Sequence, residues 1–201
     1  MKILFGMEPP SSGEIILRGE PIRFSSSKDA ISHGIGMVHQ HFMLVESFTA
    51  AQNIILGMEP KKGMFVSEEK AISFTKELSK KYNLEVEAEA VTRTLPVGVK
   101  QKIEILKALA RGAEILILDE PTAVLAPQET DQLFDELIHL KEQGHTIVFI
   151  SHKIPEVKRI SDRITVMRAG TFVGCHNTCN VTEQQISSMI MGCDMDTSIA
   201  R

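Results

Sequence analysis

The clearest pattern in the chain is a set of short aliphatic runs that alternate with longer segments of helical periodicity. Ile115–Leu118 contains no polar residue and leads directly into Asp119 and Glu120. Because a strand without polar alternation suits burial on both faces, this run predicts a strand of a parallel sheet. Further apolar runs at Gly34–Gln40 and Thr146–Ile150 predict two more strands, and the strand at Thr146–Ile150 is predicted to be buried as well.

Between these strands, apolar residues recur three and four positions apart, which predicts helices. One helix follows the loop Thr94–Gly98, and another begins at Pro127 and ends near Glu142. Its predicted inward face consists of Leu133, Phe134, Leu137, Ile138 and Leu140. Residues 1–5 are predicted to end a helix that Gly6 caps, and a break at Gly63 is predicted to separate two helices. A hairpin over 163–174 and a helix over 183–191 complete the chain. The order of strands and helices predicts an α/β fold.

Polar side chains follow three of the predicted strands: Gln40, the pair Asp119–Glu120, and His152. Ligands of open parallel sheets bind at the carboxyl ends of the strands. One of two adjacent acids can hold a hard cation, and the other can position or deprotonate a water. The pattern favours a Mg2+ and phosphate site. A structural strand that ends in a polar turn explains the acids alone equally well, and a lone His is more often structural.

Composition narrows the function classes. The 201 residues are 43% hydrophobic and 24% charged, and the net charge of −4 argues against a dedicated nucleic-acid binder. The apolar runs are too short to cross a bilayer. Three cysteines near the end of the chain, an odd number, suit a reducing compartment: Cys175, Cys179 and Cys193.

In this order and spacing, the polar residues resemble those of the nucleotide-binding domain of ABC transporters, over nearly the whole chain. Gln40 matches the Q-loop glutamine, Leu95–Gln101 the signature loop, and Ile115–Glu120 the Walker B strand. Thr122–Ala126 matches the D-loop, and His152 the switch histidine. The resemblance implies an α/β, P-loop NTPase-like fold of three layers with a mostly parallel sheet. It implies one domain over 1–201, with a helical and signature subdomain at about 46–112.

The resemblance also implies cofactors and residue roles. ATP and Mg2+ would be bound, with Asp119 and Gln40 at the metal, Glu120 as general base and His152 beside the developing charge. The signature loop would face the ATP of a partner domain through four residues: Pro96, Val97, Gly98 and Gln101.

Residues 36–45, 101–107 and 119–125 resemble the ATPases of nucleoside and simple-sugar importers, and the segment His41–Val45 favours nucleosides. Such an ATPase would lie peripherally at the cytoplasmic face of the cell membrane. Its partners would be polytopic permease subunits, a second ABC ATPase domain, either fused or in a homodimer, and indirectly an extracytoplasmic solute-binding protein. No nucleic acid is expected.

Three departures from the family pattern qualify this interpretation. The 201 residues contain no Gly-x-x-x-x-Gly-Lys-Ser/Thr motif, and Met1–Gly6 resembles the helix that normally follows it. We therefore expect a domain that is incomplete at its N-terminus and hydrolyses ATP weakly or not at all. Pro96 stands at the usual signature serine, and Ala126 at the usual D-loop aspartate.

Two alternatives remain open. A non-catalytic module would contribute only a partner surface. A soluble ABC protein of translation or DNA repair would carry basic arms or a coiled-coil insertion, and the sequence shows neither.

Overall fold

The computed structural model describes residues 1–59, 61–62 and 65–192. Gly63 and Cys193, which the sequence analysis considered, lie outside these residues. The chain divides into two compact units, Met1–Val148 and Phe149–Arg201, and each unit is described separately. The predicted single domain with a helical subdomain at about 46–112 stays a prediction.

The first unit contains most of the strands and helices. Its strands are β1 (Ile15–Leu17), β2 (Glu20–Ile22), β3 (Ile35–Val38), β4 (Lys61–Lys62), β5 (Phe65–Val66) and β6 (Ile115–Asp119). Its helices are α1 (Ser27–Ser32), α2 (Ala50–Ile55), α3 (Glu68–Tyr82), α4 (Val97–Ala110) and α5 (Pro127–Glu142). Strand β7 (Thr146–Ile150) contains the boundary between the two units.

The central sheet has the strand order β3-β6-β7. Strands β3 and β6 are parallel, and Val38 lies opposite Leu118. Gly36 of β3 allows helix α4 to approach closely, because a Cβ at this position would lie 2.8 Å from Ala113 Cβ and 2.9 Å from Ala108 Cβ. The predicted α/β fold with a parallel sheet is confirmed.

Local capping explains where helix α2 begins. Thr49 Oγ1 accepts the Gln52 N–H at 3.2 Å, and Gln52 Oε1 accepts the Thr49 N–H at 2.9 Å. This reciprocal pair satisfies two N–H groups that have no partner within the helix. The next residue, Asn53, is fully buried and donates to the Thr92 hydroxyl at 2.9 Å. Capping and this bond hold α2 against the chain segment that precedes α4.

The second unit contains the end of β7, helix α6 (Ile154–Ile160), the antiparallel hairpin of β8 (Arg163–Arg168) and β9 (Thr171–Asn177), and helix α7 (Glu183–Met191). Ile164 and Val166 of β8 pack in one buried cluster with Val181 and with Ile186 of α7. No helix in the described part of either unit is long and apolar enough to cross a membrane.

Three details of the prediction are wrong. Residues 2–6 form hydrogen-bonded turns rather than a regular helix, although Gly6 has the left-handed φ of +69° that its predicted capping role needs. Ile138 is 37% exposed, because it lies about 140° around the helix from buried Leu133, at the edge of the buried face. Strand β7 has no fully buried residue, since it lies at an end of the described sheet.

Candidate functional site

The parallel register of β3 and β6 brings three of the predicted site residues to one edge of the sheet. Val38 pairs with Leu118. Gln40 and Glu120 each lie two residues beyond that pair, and Asp119 is the last residue of β6. Gln40 is exposed, whereas the two acids are half-buried. The first unit therefore presents an amide and two carboxylates at the carboxyl edge of its sheet, which is the predicted placement.

Glu120 has an unusual backbone conformation. Its φ is +50°, in the left-handed region that residues other than Gly rarely adopt. A conformation of this kind costs about 1–3 kcal/mol and is found mostly at functional sites. The chain then turns, because the Ala123 N–H donates to the Glu120 carbonyl at 3.1 Å, and Thr122 is fully buried. Leu118 before Glu120 and Thr122 after it are both fully buried, so the backbone at the end of β6 is anchored on both sides of Glu120.

The donor set at this edge suits a magnesium ion that is bound together with phosphate. Magnesium is commonly held by one or two carboxylates together with water and substrate phosphate. Across the described ranges, no group of three or more His, Cys, Asp or Glu side chains could hold a metal ion by itself. Asp119 and Gln40 offer a carboxylate and an amide oxygen, and this donor set suits a cation that substrate oxygens and water also ligate.

The signature loop forms the start of helix α4. Pro96 is the N-cap residue, and no side chain caps this helix end from that position. Pro96 is exposed, Val97 and Gly98 are half-buried, and Gln101 is only 3% exposed. Gly98 and Gln101, three residues apart, lie on the same side of α4, and the Gln101 side chain is buried.

Glu129 contacts the signature loop, and the sequence analysis did not identify it. Its Oε1 accepts the Gly98 N–H at 3.2 Å, and its Oε2 accepts the Ala126 N–H at 3.0 Å. The sequence holds a partial signal, since an acid three residues after an N-cap position commonly bonds back to that residue. The contact with Gly98 requires the packing of α4 against α5, so spacing alone could not reveal it.

A small cavity of about 70 Å3 lies between α4 and α5, beside Gly98, Gln101 and Glu129. Lys102 and Glu136, which also line it, form an ion pair of 2.7 Å between Nζ and Oε1. Burial raises the pKa of Glu136, and the hydrogen bond and charge of Lys102 oppose this rise. The interface behind the signature loop is therefore polar and buried.

A larger cavity of about 260 Å3 adjoins the segment between β3 and α2. Its lining is mainly apolar and includes Phe5, Met37 and Met43. Lys107, which also lines it, donates from Nζ to the Met43 carbonyl at 2.7 Å and lies 3.7 Å from Oε2 of Glu104, another lining residue. Burial lowers the pKa of Arg111, which donates to the Lys107 carbonyl at 2.6 Å. The cavity thus combines apolar side chains with charged groups of both signs.

His152 lies in the second unit, two residues after the end of β7, and its side chain is exposed. The adjacent turn is well defined: the Lys153 N–H donates to Ser151 Oγ at 3.0 Å, and Lys153 pairs with Glu156 at 2.9 Å. Its predicted position beside Asp119 and Glu120 stays a prediction.

Comparison with known proteins places these features in a family. The chain is 44% identical to the nucleoside import ATP-binding protein NupA of Lactococcus lactis, over 96% of the chain and 38% of that protein. It is 40% identical to the ribose import ATP-binding protein RbsA of Rhodopirellula baltica, over 97% of the chain and 38% of that protein. The chain therefore spans about two fifths of the length of these relatives.

Among solved structures, cbiO1 of Clostridium perfringens, part of the ABC transporter complex cbiONQ, matches with a TM-score of 0.73 and 28% identity. The match covers 89% of this chain and 71% of cbiO1. The family model described as ABC transporter matches residues 1–123, which is more than half of the chain. The chain belongs to the ABC transporter family.

Proposed function

We propose that this chain is an ATP-binding domain of an ABC importer and contributes to ATP hydrolysis that drives solute uptake. The observation that carries the proposal is the common edge of β3 and β6, where Gln40, Asp119 and Glu120 follow a parallel pair in register. This edge is where open α/β sheets bind ligands. Membership of the ABC transporter family supports the same activity.

The side chains at this edge have separate tasks. Asp119, with Gln40 just beyond the neighbouring strand, would hold Mg2+, which would supply positive charge to offset that of the phosphates. Glu120 accepts the proton of the attacking water as general base. The left-handed backbone at Glu120 sets the direction of its carboxylate independently of Asp119. His152 donates a hydrogen bond to the charge that develops on phosphate.

The signature loop acts on the nucleotide of a second ABC ATPase domain. The Gly98 N–H lies in the first turn of α4, where the helix dipole favours an anion. Pro96 has neither a hydroxyl nor an N–H to offer a phosphate. Gly98 consequently supplies the main hydrogen bond from this loop, with Val97 and Gln101 shaping the turn.

The substrates are nucleosides, with simple sugars as the alternative. The nucleoside import relative is 44% identical and the ribose import relative is 40% identical, so the difference that supports nucleosides is small. The ATPase lies at the cytoplasmic face of the membrane with polytopic permease subunits, and a solute-binding protein acts through those subunits. The cavity of about 260 Å3, with its mainly apolar lining and a few charged side chains, suits a permease segment.

A chimera tests the proposal. This chain replaces the matching 192 residues of the lactococcal NupA, whose remaining segments stay unchanged. We expect ATP-dependent uptake of labelled nucleosides. Glu120→Gln should lower ATP hydrolysis by about 100-fold or more, because a general base contributes on the order of 10²–10⁴ in rate, while nucleotide binding persists. Glu114→Gln is the matched control, since Glu114 precedes the opposite end of β6 and is exposed.

The results separate the two candidate functions. Hydrolysis that survives Glu120→Gln would contradict the role of Glu120. A chimera that assembles with the permease but neither hydrolyses ATP nor supports uptake would favour the non-catalytic module. The permease and solute-binding protein of the NupA system select the solute, so the chimera tests ATP hydrolysis and its coupling to uptake and does not test the substrate class.

A further inference from the structure

The Gly98 N–H already has a hydrogen-bond acceptor within this chain. The proposed function assigns the same N–H to the phosphate of a partner domain's nucleotide. The Gly98 N–H donates to Glu129 Oε1 at 3.2 Å, and a Cβ at Gly98 would lie 2.8 Å from the same oxygen. Glu129 thus occupies the space in front of the first turn of α4. The carboxylate lies where an anion at this helix end would bind.

The same carboxylate contacts the first residues of two helices. Pro96 and Ala126 are the N-cap residues of α4 and α5, and neither has a side-chain oxygen. Glu129 bonds one helix end through Oε1 and the other through Oε2. A single acid of α5 therefore accepts one N–H at the start of each helix. Its bond to Ala126 lies within the start of α5 and does not require the contact with Gly98.

A phosphate and Glu129 cannot share the Gly98 N–H, because both are anionic acceptors and their charges repel each other at this separation. An alternative donor lies close by. Gln101 is 3% exposed, and its Nε2 atom is buried without a hydrogen-bond partner in the described structure. Gln101, Gly98 and Glu129 line the same cavity of about 70 Å3. An unsatisfied buried amide of this kind is costly.

We propose that Glu129 is a built-in anion that occupies the signature loop in the absence of a partner's nucleotide, and that its carboxylate moves to Gln101 Nε2 when the γ-phosphate takes the Gly98 N–H. The proposal rests on the function proposed above for this loop. It makes Glu129 an autoinhibitory contact and Gln101 the residue that stabilises the released state. The exchange costs no net hydrogen bond, because the Gln101 amide gains the partner that Gly98 gives up.

The test uses the 201-residue chain and an ABC ATPase domain that has its own phosphate loop. In that domain the catalytic carboxylate is replaced by Gln, so that MgATP is bound and retained. Association of the two proteins is measured by titration calorimetry with and without ATP. Glu129→Ala should tighten the ATP-dependent Kd by about tenfold, the size expected when one charged hydrogen-bonded competitor is removed. Hydrogen exchange of the Gly98 amide without nucleotide should accelerate.

Two further variants identify the mechanism. Gln101→Met should weaken association in the chain that has Glu129 and should have no further effect after Glu129→Ala, since Gln101 acts through Glu129. Glu69→Ala is the control, because Glu69 is an exposed first-turn acid of α3. It should leave the Kd unchanged.

Negative results for the inference and for the proposed function can be told apart. Association that Glu129→Ala leaves unchanged or weakens would overturn the inference and leave the proposed function in place. A capping role alone predicts that outcome together with a lower Tm. If no variant associates with the partner in an ATP-dependent way, the proposed role of the signature loop is refuted, and the inference with it.

Discussion

The buried ion pair between Lys102 and Glu136 allows a sharp test of how the signature helix is held. Lys102 lies on α4 and Glu136 on α5, and their side chains are 11% and 7% exposed. The Nζ–Oε1 distance is 2.7 Å, whereas Glu136 Oε2 has no hydrogen-bond partner among the described residues. The perturbation is Lys102→Met, which keeps the length of the side chain and removes its charge.

The expected loss of stability comes from the Glu136 carboxylate, which Lys102→Met leaves without its ion-pair partner. Removing one partner of a buried pair costs about 3–5 kcal/mol, because the remaining charge stays in a poorly solvated environment. The adjacent cavity of about 70 Å3 can admit water to Glu136. We therefore expect the lower end of this range, about 3 kcal/mol at neutral pH.

The loss should also depend on pH. Burial raises the pKa of Glu136, and Lys102 lowers it again. Without Lys102 the folded-state pKa moves further above the unfolded-state pKa. A carboxyl group with a raised folded-state pKa loses stability as the pH rises from the unfolded-state pKa through the folded-state pKa. The penalty should thus be small in acid, where Glu136 is protonated in both states, and complete above the folded-state pKa.

Urea unfolding followed by far-ultraviolet circular dichroism, at several pH values, measures this free energy. The control is Lys102→Met with Glu136→Leu, which removes both charges and should recover most of the loss. A penalty below about 1 kcal/mol at neutral pH would fall in the range of exposed pairs. That result, or a penalty that does not vary with pH, would refute the buried-charge argument.

Two packing predictions use the same unfolding assay. Gly36→Ala should lower the free energy of unfolding by about 1–3 kcal/mol through overpacking, because the added methyl would lie 2.8 Å from Ala113 Cβ. An unchanged free energy of unfolding would mean that α4 shifts away from β3 without penalty. Phe134→Ala should cost about 3–5 kcal/mol, because Phe134 is 1% exposed. Ile138→Ala, on the exposed side of α5, should cost far less, and equal losses would contradict the assigned helix face.

Local pattern accounts for the elements of the chain. The predicted ranges of α5, β7 and α7 agree with Pro127–Glu142, Thr146–Ile150 and Glu183–Met191. Pattern was less informative about burial. Ile138 was assigned to the inner face because it is apolar, yet the direction of a helical residue depends on which neighbours the helix packs against. Whether β7 is buried likewise depends on its neighbours in the sheet rather than on its own residues.

The sequence by itself determined which polar residues follow the strands, because strand ends are encoded locally: an apolar run stops at a polar residue. The parallel register of β3 and β6, which brings Gln40 and Asp119–Glu120 to one edge of the sheet, is a tertiary feature. The placement of His152 in that site stays a prediction. Only the tertiary structure decided what the signature loop contacts. Glu129 is 31 residues from Gly98 along the chain, and their bond exists because α4 packs against α5. Contacts between distant residues depend on how elements pack, and neither spacing nor residue type specifies them.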